Sequence, residues 1–190
     1  NSTAYVTQLS SVGTLTNEGT IASSKQIAIS ATGDLVNAGT MKGTQLLSVA
    51  SGGNLTTRKG SNTVSDGQLA VSANNIDNAG SMRGNITYVE FSGDKLKVTG
   101  ELRGHSTLTV QSKKDDKVNT GEIYNSGSIV GNNVTLVTDG ILNQEGTLIG
   151  QNSLTLNTKV IDNTNYIYGN SLNVESDYVR NLSLIHISEP

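Results

Sequence analysis

The chain has 190 residues, of which 34% are hydrophobic, 4% aromatic and 15% charged, with 21 glycines, one proline and no cysteine. A net charge of −3 without any basic stripe argues against a nucleic-acid partner, and the lack of cysteine excludes disulfides, thiol chemistry and cysteine-based zinc sites. Because no run approaches the roughly 18 apolar residues of a membrane-crossing helix, we do not expect the chain to span a membrane.

A repeated unit of about twenty residues extends along nearly the whole chain. Units begin near residues 13, 33, 53, 74, 94, 121, 140 and 159, and a ninth, beginning near 177, is incomplete. Each follows roughly the pattern Gly-x-Leu/Ile-x-Asn-x-Gly-x-apolar-x-Gly-x-x-apolar-x-apolar. A short fixed period of this kind is typical of stacked repeats and not of one globular core.

Within a unit, the residues of the pattern recur at a spacing of two, which is the period of a β-strand. Leu35 and Asn37 in the second unit are an example. We therefore predict about three short strands per unit, joined at corners where glycine supplies a positive φ. Such a unit buries its apolar face only against its neighbours. The sequence predicts an all-β fold, a parallel β-helix (solenoid) of about eight to nine coils. The handedness of parallel crossovers makes it right-handed.

One column of the repeat is occupied mostly by asparagine: Asn17, Asn37, Asn78, Asn125 and Asn163, with Asn181 in the incomplete unit. Thr57, Val98 and Gln144 fill the remaining positions. Because apolar residues lie two positions away, we predict that these amides point inward and form a structural ladder, each bonding its own turn and the amide of the next coil. The alternative is a row of polar contacts for a sugar or an ion.

The fifth unit contains an insertion of about seven residues within 111–120. In stacked coils, insertions emerge as loops on one face, which is often the binding face. Lys113, Lys114 and Lys117 form a candidate interaction loop for an anionic polysaccharide or lipopolysaccharide. Asp115 and Asp116 neutralise most of this charge, so a mobile loop that is merely solvated is the alternative.

The last residues differ from the repeat. We expect residues 1–182 to form a single β-helix segment of a longer fibre, and residues 183–190 to be an out-of-register tail. The tail contains the only proline of the chain and resembles translated sequencing-adapter read-through. The alternative is a final strand of the ninth coil.

Three stretches resemble the haemagglutinin-type repeats of filamentous haemagglutinin: Gly13–Ile21, Asp34–Gly39 and Ile76–Met82. The same repeats build the sticks of contact-dependent growth-inhibition proteins, and the resemblance covers about residues 10–182. It implies a very large exoprotein of Gram-negative bacteria. Such a protein is secreted through an outer-membrane two-partner transporter and displayed on the cell surface. This chain would be a shaft segment of an adhesin or toxin carrier whose target is a receptor or glycan on a host or neighbouring cell.

An enzyme on the same fold, such as a polysaccharide-degrading β-helix enzyme or a phage tailspike, is the rival hypothesis. Glycoside hydrolysis needs two carboxylates roughly 5–10 Å apart, whereas the acidic residues here are scattered over different repeat positions. We therefore expect no catalytic residues, no cofactor and no metal site, and we expect His105 to be an exposed side chain without a role. A glycan- or cell-binding module of the same fibre remains an alternative to a pure shaft.

Overall fold

The computed structural model describes residues 6–187, which contain strands and turns and no helix. The strands of this region are, in chain order, β1 (Val6–Ser11), β2 (Leu15–Asn17), β3 (Thr20–Ser23), β4 (Gln26–Ala31), β5 (Leu35–Asn37), β6 (Thr40–Gly43), β7 (Leu46–Ser51), β8 (Leu55–Thr57), β9 (Asn62–Ser65), β10 (Gln68–Ala73), β11 (Ile76–Asn78), β12 (Ser81–Phe91), β13 (Lys95–Val98), β14 (Glu101–Lys114), β15 (Lys117–Val118), β16 (Glu122–Asn125), β17 (Ser128–Gln144), β18 (Thr147–Asn163), β19 (Tyr166–Glu175), β20 (Tyr178–Asn181) and β21 (Ile185–Ile187).

Each strand pairs in parallel with the equivalent strand of the next coil, and the only antiparallel pair among the described strands is β14–β15. The pairing defines three faces. Face A contains β2, β5, β8, β11, β13, β16, residues 141–144 and 160–163, and β20. Face B contains β3, β6, β9, residues 81–84, 101–104, 128–131, 147–150 and 166–169, and β21. Face C contains β1, β4, β7, β10 and residues 86–91, 107–112, 133–138, 153–158 and 171–175.

The predicted parallel β-helix is confirmed. Rungs in a sheet are about 4.8 Å apart, so nine coils give a rod roughly 40 Å long. Along each face the same interior position is occupied by like residues. On face A, for example, Leu15, Leu35, Leu55 and Ile76 stack in successive coils. In β4 and β7 the side chains alternate between buried and partly exposed positions. The hydrophobic core is therefore one continuous stripe along the rod axis and is not a separate cluster in each coil.

We predicted that glycine occupies the corners because they need a positive φ. For most corners this prediction is wrong. Among the described glycines only Gly13 and Gly60 have positive φ, at 118° and 85°. At a typical corner, glycine is needed because there is no space for a Cβ atom. A Cβ on Gly39 would overlap the carbonyl oxygen of Gly19 in the coil below, and one on Gly104 would overlap the carbonyl oxygen of Thr107. Glycine is required at these corners because the backbones of the chain approach one another closely.

The tail continues the stack as far as it is described. Ile185 pairs with Ile167 and His186 pairs with Tyr168, so β21 adds a parallel strand to face B. This position corresponds to the alternative of a final strand in the ninth coil. Residues 188–190 lie outside the described residues.

Candidate functional site

The asparagine column lies on face A, at the end of each short strand. Asn17 is in register with Asn37, Asn37 with Thr57, and Thr57 with Asn78. Val98, Asn125, Gln144, Asn163 and Asn181 continue the same column. Asn37, Asn78, Asn125 and Asn163 are fully buried. The side chains of this column therefore face the interior in every coil except the last described one, where Asn181 is exposed.

The column amides make two kinds of hydrogen bond. The Asn17 side-chain N–H donates to Asn37 Oδ1 at 2.9 Å, and Asn125 donates to Gln144 Oε1 at 2.8 Å. The same nitrogens also reach the first carbonyl of face B in the next coil, which is Thr40 for Asn17 at 3.1 Å and Thr147 for Asn125 at 2.9 Å. Each amide thus joins two faces of adjacent coils, and these bonds satisfy polar groups that have no access to water.

The amide chain is interrupted where the sequence departs from asparagine. Thr57 donates its hydroxyl to Asn78 Oδ1 at 2.5 Å, which keeps one side-chain link in the third coil. Val98 has no polar side-chain atom and forms no such hydrogen bond. The Asn78 side-chain N–H donates to the carbonyl of Glu101 at 2.8 Å. The bond from the column amide to face B is therefore the more regular feature, and the bond between neighbouring amides is optional.

The insertion in the fifth unit forms a β-hairpin. Strand β14 continues into it and pairs antiparallel with β15, so that Lys114 lies opposite Lys117. Asp115 and Asp116 form the turn with φ of 50° and 60°, a left-handed conformation that aspartate tolerates better than most residues. Lys113 contacts Asp116 at 3.1 Å, and this hydrogen bond raises the pKa of the Lys113 ammonium. Lys114 and Lys117 are exposed and are the free cations of the hairpin.

A second cationic surface, which the sequence analysis missed, lies on face B. Lys42, Val64, Arg83 and Arg103 occupy one outward-facing column on four successive rungs. They line a groove of about 530 Å³ together with residues of the neighbouring corner, including His105. The signal is present in the sequence, since Lys42, Arg83 and Arg103 each stand between a buried apolar residue and glycine. The cationic column becomes visible only when this one repeat position is compared between successive units.

Some of the other charged residues form ion pairs between adjacent coils. On face A, Asp77 contacts Lys97 at 3.9 Å, and Asp162 is hydrogen-bonded to Arg180. The hydrogen bond from Arg180 lowers the pKa of the Asp162 carboxyl. Exposed pairs of this kind stabilise a fold little. Within residues 6–187, no group of three or more acidic or histidine side chains is arranged to hold a metal ion, and no helix suited to crossing a membrane occurs there.

A rod of near-identical coils with one shared core is the architecture of a structural β-solenoid repeat protein. The haemagglutinin repeat family matches residues 2–39, 42–85 and 93–185. The chain therefore belongs to the haemagglutinin repeat family and is a filamentous-haemagglutinin-type structural repeat segment. Comparison with curated proteins and with solved structures finds no match.

Proposed function

We propose that the chain is a shaft segment of a large secreted bacterial protein that is displayed on the cell surface as an adhesin or as a contact-dependent toxin carrier. The main support is the continuous parallel pairing of equivalent strands from β1 to β21, which allows coils to be added without changing the core. In this role, repetition gives reach, and the buried stripe with its inter-coil hydrogen bonds gives stiffness. The shaft holds a distal module away from the cell.

Export through an outer-membrane two-partner transporter fits the same architecture. The chain has no cysteine, so no disulfide hinders passage of an unfolded polypeptide through a pore. In solenoids each repeat contacts only its neighbours, so folding can proceed coil by coil as the chain emerges. The final partner is a receptor or glycan on a host or neighbouring cell, contacted by the distal module.

Deletion of one whole coil tests the shaft role. Removing residues 33–52 joins equivalent repeat positions, since Leu35 and Leu55 are in register. We expect the shortened chain to stay folded and its length, from X-ray scattering, to fall by about 4.8 Å, one rung. Removing residues 33–42 alone is the out-of-register control and should disrupt the fold. In the full-length surface protein, the whole-coil deletion should leave adhesion or toxin delivery intact. A folded deletion variant that loses this activity would contradict a spacer role.

A binding module is the second candidate, and the ordered hairpin at 113–118 is the observation that favours it. Its turn places Lys114 and Lys117 opposite each other at the tip, away from the solenoid core. This hypothesis predicts saturable attachment of the chain to target cells, and loss of that attachment in a variant with glutamine at positions 113, 114 and 117. Attachment that persists in this variant would exclude the hairpin as the binding element.

A further inference from the structure

The groove on face B contains two arginines on adjacent rungs. Arg83 and Arg103 are Cα partners in the parallel pairing of β12 with β14, so their side chains leave the same face about 4.8 Å apart. Like charges placed directly opposite each other destabilise a sheet. Arg103 has a distant carboxylate partner in Glu101, at 3.5 Å. Arg83 forms no ion pair with any residue between 6 and 187.

The corner beside these arginines leaves space for a ligand. Gly84 and Gly104 turn the chain from face B to face C and add no side chain to the groove wall. Asn85 and His105 follow them on the far side and are exposed. The register shifts between these two coils, as it does at the same corner of the coils that follow. The groove is therefore lined by the cationic column of face B and by the hydrogen-bonding side chains of Asn85 and His105.

Acidic residues at the groove set the charge density that it suits. Lys42 is held by Asp66 at 3.3 Å, and Glu101 lies beside Arg103. Within residues 6–187, Arg83 is the one cation of this column without a carboxylate partner, so the groove has a low density of positive charge and its acidic residues repel a densely charged polymer. A ligand with a single charge on each unit matches this arrangement better than one with several.

From this geometry we infer that the groove binds a linear carboxylate-bearing polysaccharide, a polyuronate, without cleaving it. Arginine binds carboxylates through two parallel N–H···O bonds. Arg83 and Arg103 hold carboxylates of the polymer, and Asn85 and His105 bond its hydroxyl groups. A sugar unit is about as long as one rung spacing of roughly 4.8 Å, so the polymer lies along the rod axis.

The same column continues beyond the arginines as an apolar surface. Val130, Ile149 and Tyr168 follow Arg103 on successive rungs, and the ring of Tyr168 stacks on Tyr166 at 6.4 Å. Aromatic and aliphatic surfaces of this kind pack against the C–H faces of sugar rings. A longer polymer therefore gains contacts toward the C-terminal coils, and we expect affinity to increase with its length.

Calorimetric titration of the 190-residue chain with hexagalacturonate tests this inference. We expect saturable binding, weakened about tenfold in the Arg83→Gln/Arg103→Gln variant, since each removed partner is a charge-assisted bond at a partly exposed site. The Arg83→Lys/Arg103→Lys variant keeps the charge but loses the paired geometry, and its affinity should lie in between. Circular dichroism confirms that each variant is folded, because these side chains point outward.

Three controls test whether the arginine groove, and not the charge of the chain in general, is responsible for binding. The Lys25→Gln/Lys59→Gln variant removes the same charge from exposed lysines outside the groove and should bind normally. Methyl-esterified hexagalacturonate, which has no charge, should not bind. Dextran sulfate should bind no more tightly than the uronate. The inference is overturned if the uronate fails to bind, if both charge-removal variants lose affinity equally, or if the ester binds as well. It is also overturned if a Lys114→Gln/Lys117→Gln variant alone loses affinity, which would place the site on the hairpin.

Discussion

Replacement of Asn37 by alanine is the most direct test of the interior amide column. Asn37 is fully buried, and its side-chain N–H groups donate to Thr63 Oγ1 and to the carbonyl of Asn62, both at 3.0 Å. Its Oδ1 accepts from the side chain of Asn17 at 2.9 Å and from the N–H of Gly39 at 3.2 Å. Alanine removes all four bonds and adds no group that can replace them.

The expected cost follows from which partners keep another bond. Asn17 still donates to the carbonyl of Thr40, and the N–H of Gly39 still reaches the carbonyl of Asn17 at 3.1 Å. The hydroxyl of Thr63 and the second site on the Asn62 carbonyl lose a partner inside the rod. At about 1 kcal/mol for each lost bond, and more for a polar group left unsatisfied, the free energy of unfolding should fall by about 3 kcal/mol.

Urea unfolding followed by circular dichroism measures this change, and Asn132→Ala is the matched control. Asn132 is the same residue type, exposed at a corner between faces B and C, and its replacement should change stability by less than about 0.5 kcal/mol. In a solenoid the effect of a substitution is shared only with neighbouring coils, so hydrogen exchange should increase most around Asn37. If Asn37→Ala cost no more than Asn132→Ala, the column would be a by-product of the repeat and not a stabilising element.

Three further predictions concern other parts of the rod. Gly39→Ala should reduce the free energy of unfolding by about 3 kcal/mol, because its Cβ would overlap the backbone of the neighbouring coil. Gly60→Ala should reduce it by only about 1–2 kcal/mol, because Gly60 has a positive φ but open surroundings. Urea unfolding compares the two variants. Burial and a hydrogen bond to Glu90 raise the pKa of Tyr88 to about 12. The unfolded chain therefore loses this proton first, near pH 10, and stability should fall as the pH rises from there toward about 12. Ultraviolet titration should show a lower pKa for Tyr88 in Glu90→Gln. Asp116→Pro is incompatible with a φ of 60° and should remove the hydrogen-exchange protection of the hairpin while leaving the melting temperature of the rod unchanged. A collapse of the whole rod would contradict this.

The interior of the rod could be predicted from the sequence because the repeat determines which positions share a rung. A spacing of two within a unit and of about twenty between units places Leu35 over Leu15 and Asn37 over Asn17, as the structure has them. The same arithmetic puts Thr57 and Val98 in the column without any structural information. Because packing constrains the inward positions, their residue types recur regularly and can be recognised in the sequence.

The corners were predicted for the wrong reason because a sequence shows residue types but not distances. Glycine at Gly39 and Gly104 is compatible both with positive φ and with close backbone approach, and only coordinates separate the two. The hairpin was missed similarly. Lys114 and Lys117 are paired by a turn of two aspartates, whereas Asn-Gly or Asp-Gly is the usual signal for such a turn.

Outward columns are where coils of one rod differ in chemistry, because a substitution there changes no interior contact. The column that contains Arg83 and Arg103 becomes apolar at Val130 and Ile149, while the buried position beside it remains Met, Leu or Ile in all of these coils. A shaft that served only as a spacer would place no constraint on such columns beyond solubility. Two arginines on neighbouring rungs repel each other and give no stability to the sheet. Their presence beside an open corner is therefore better explained by an anionic ligand than by the needs of the fold.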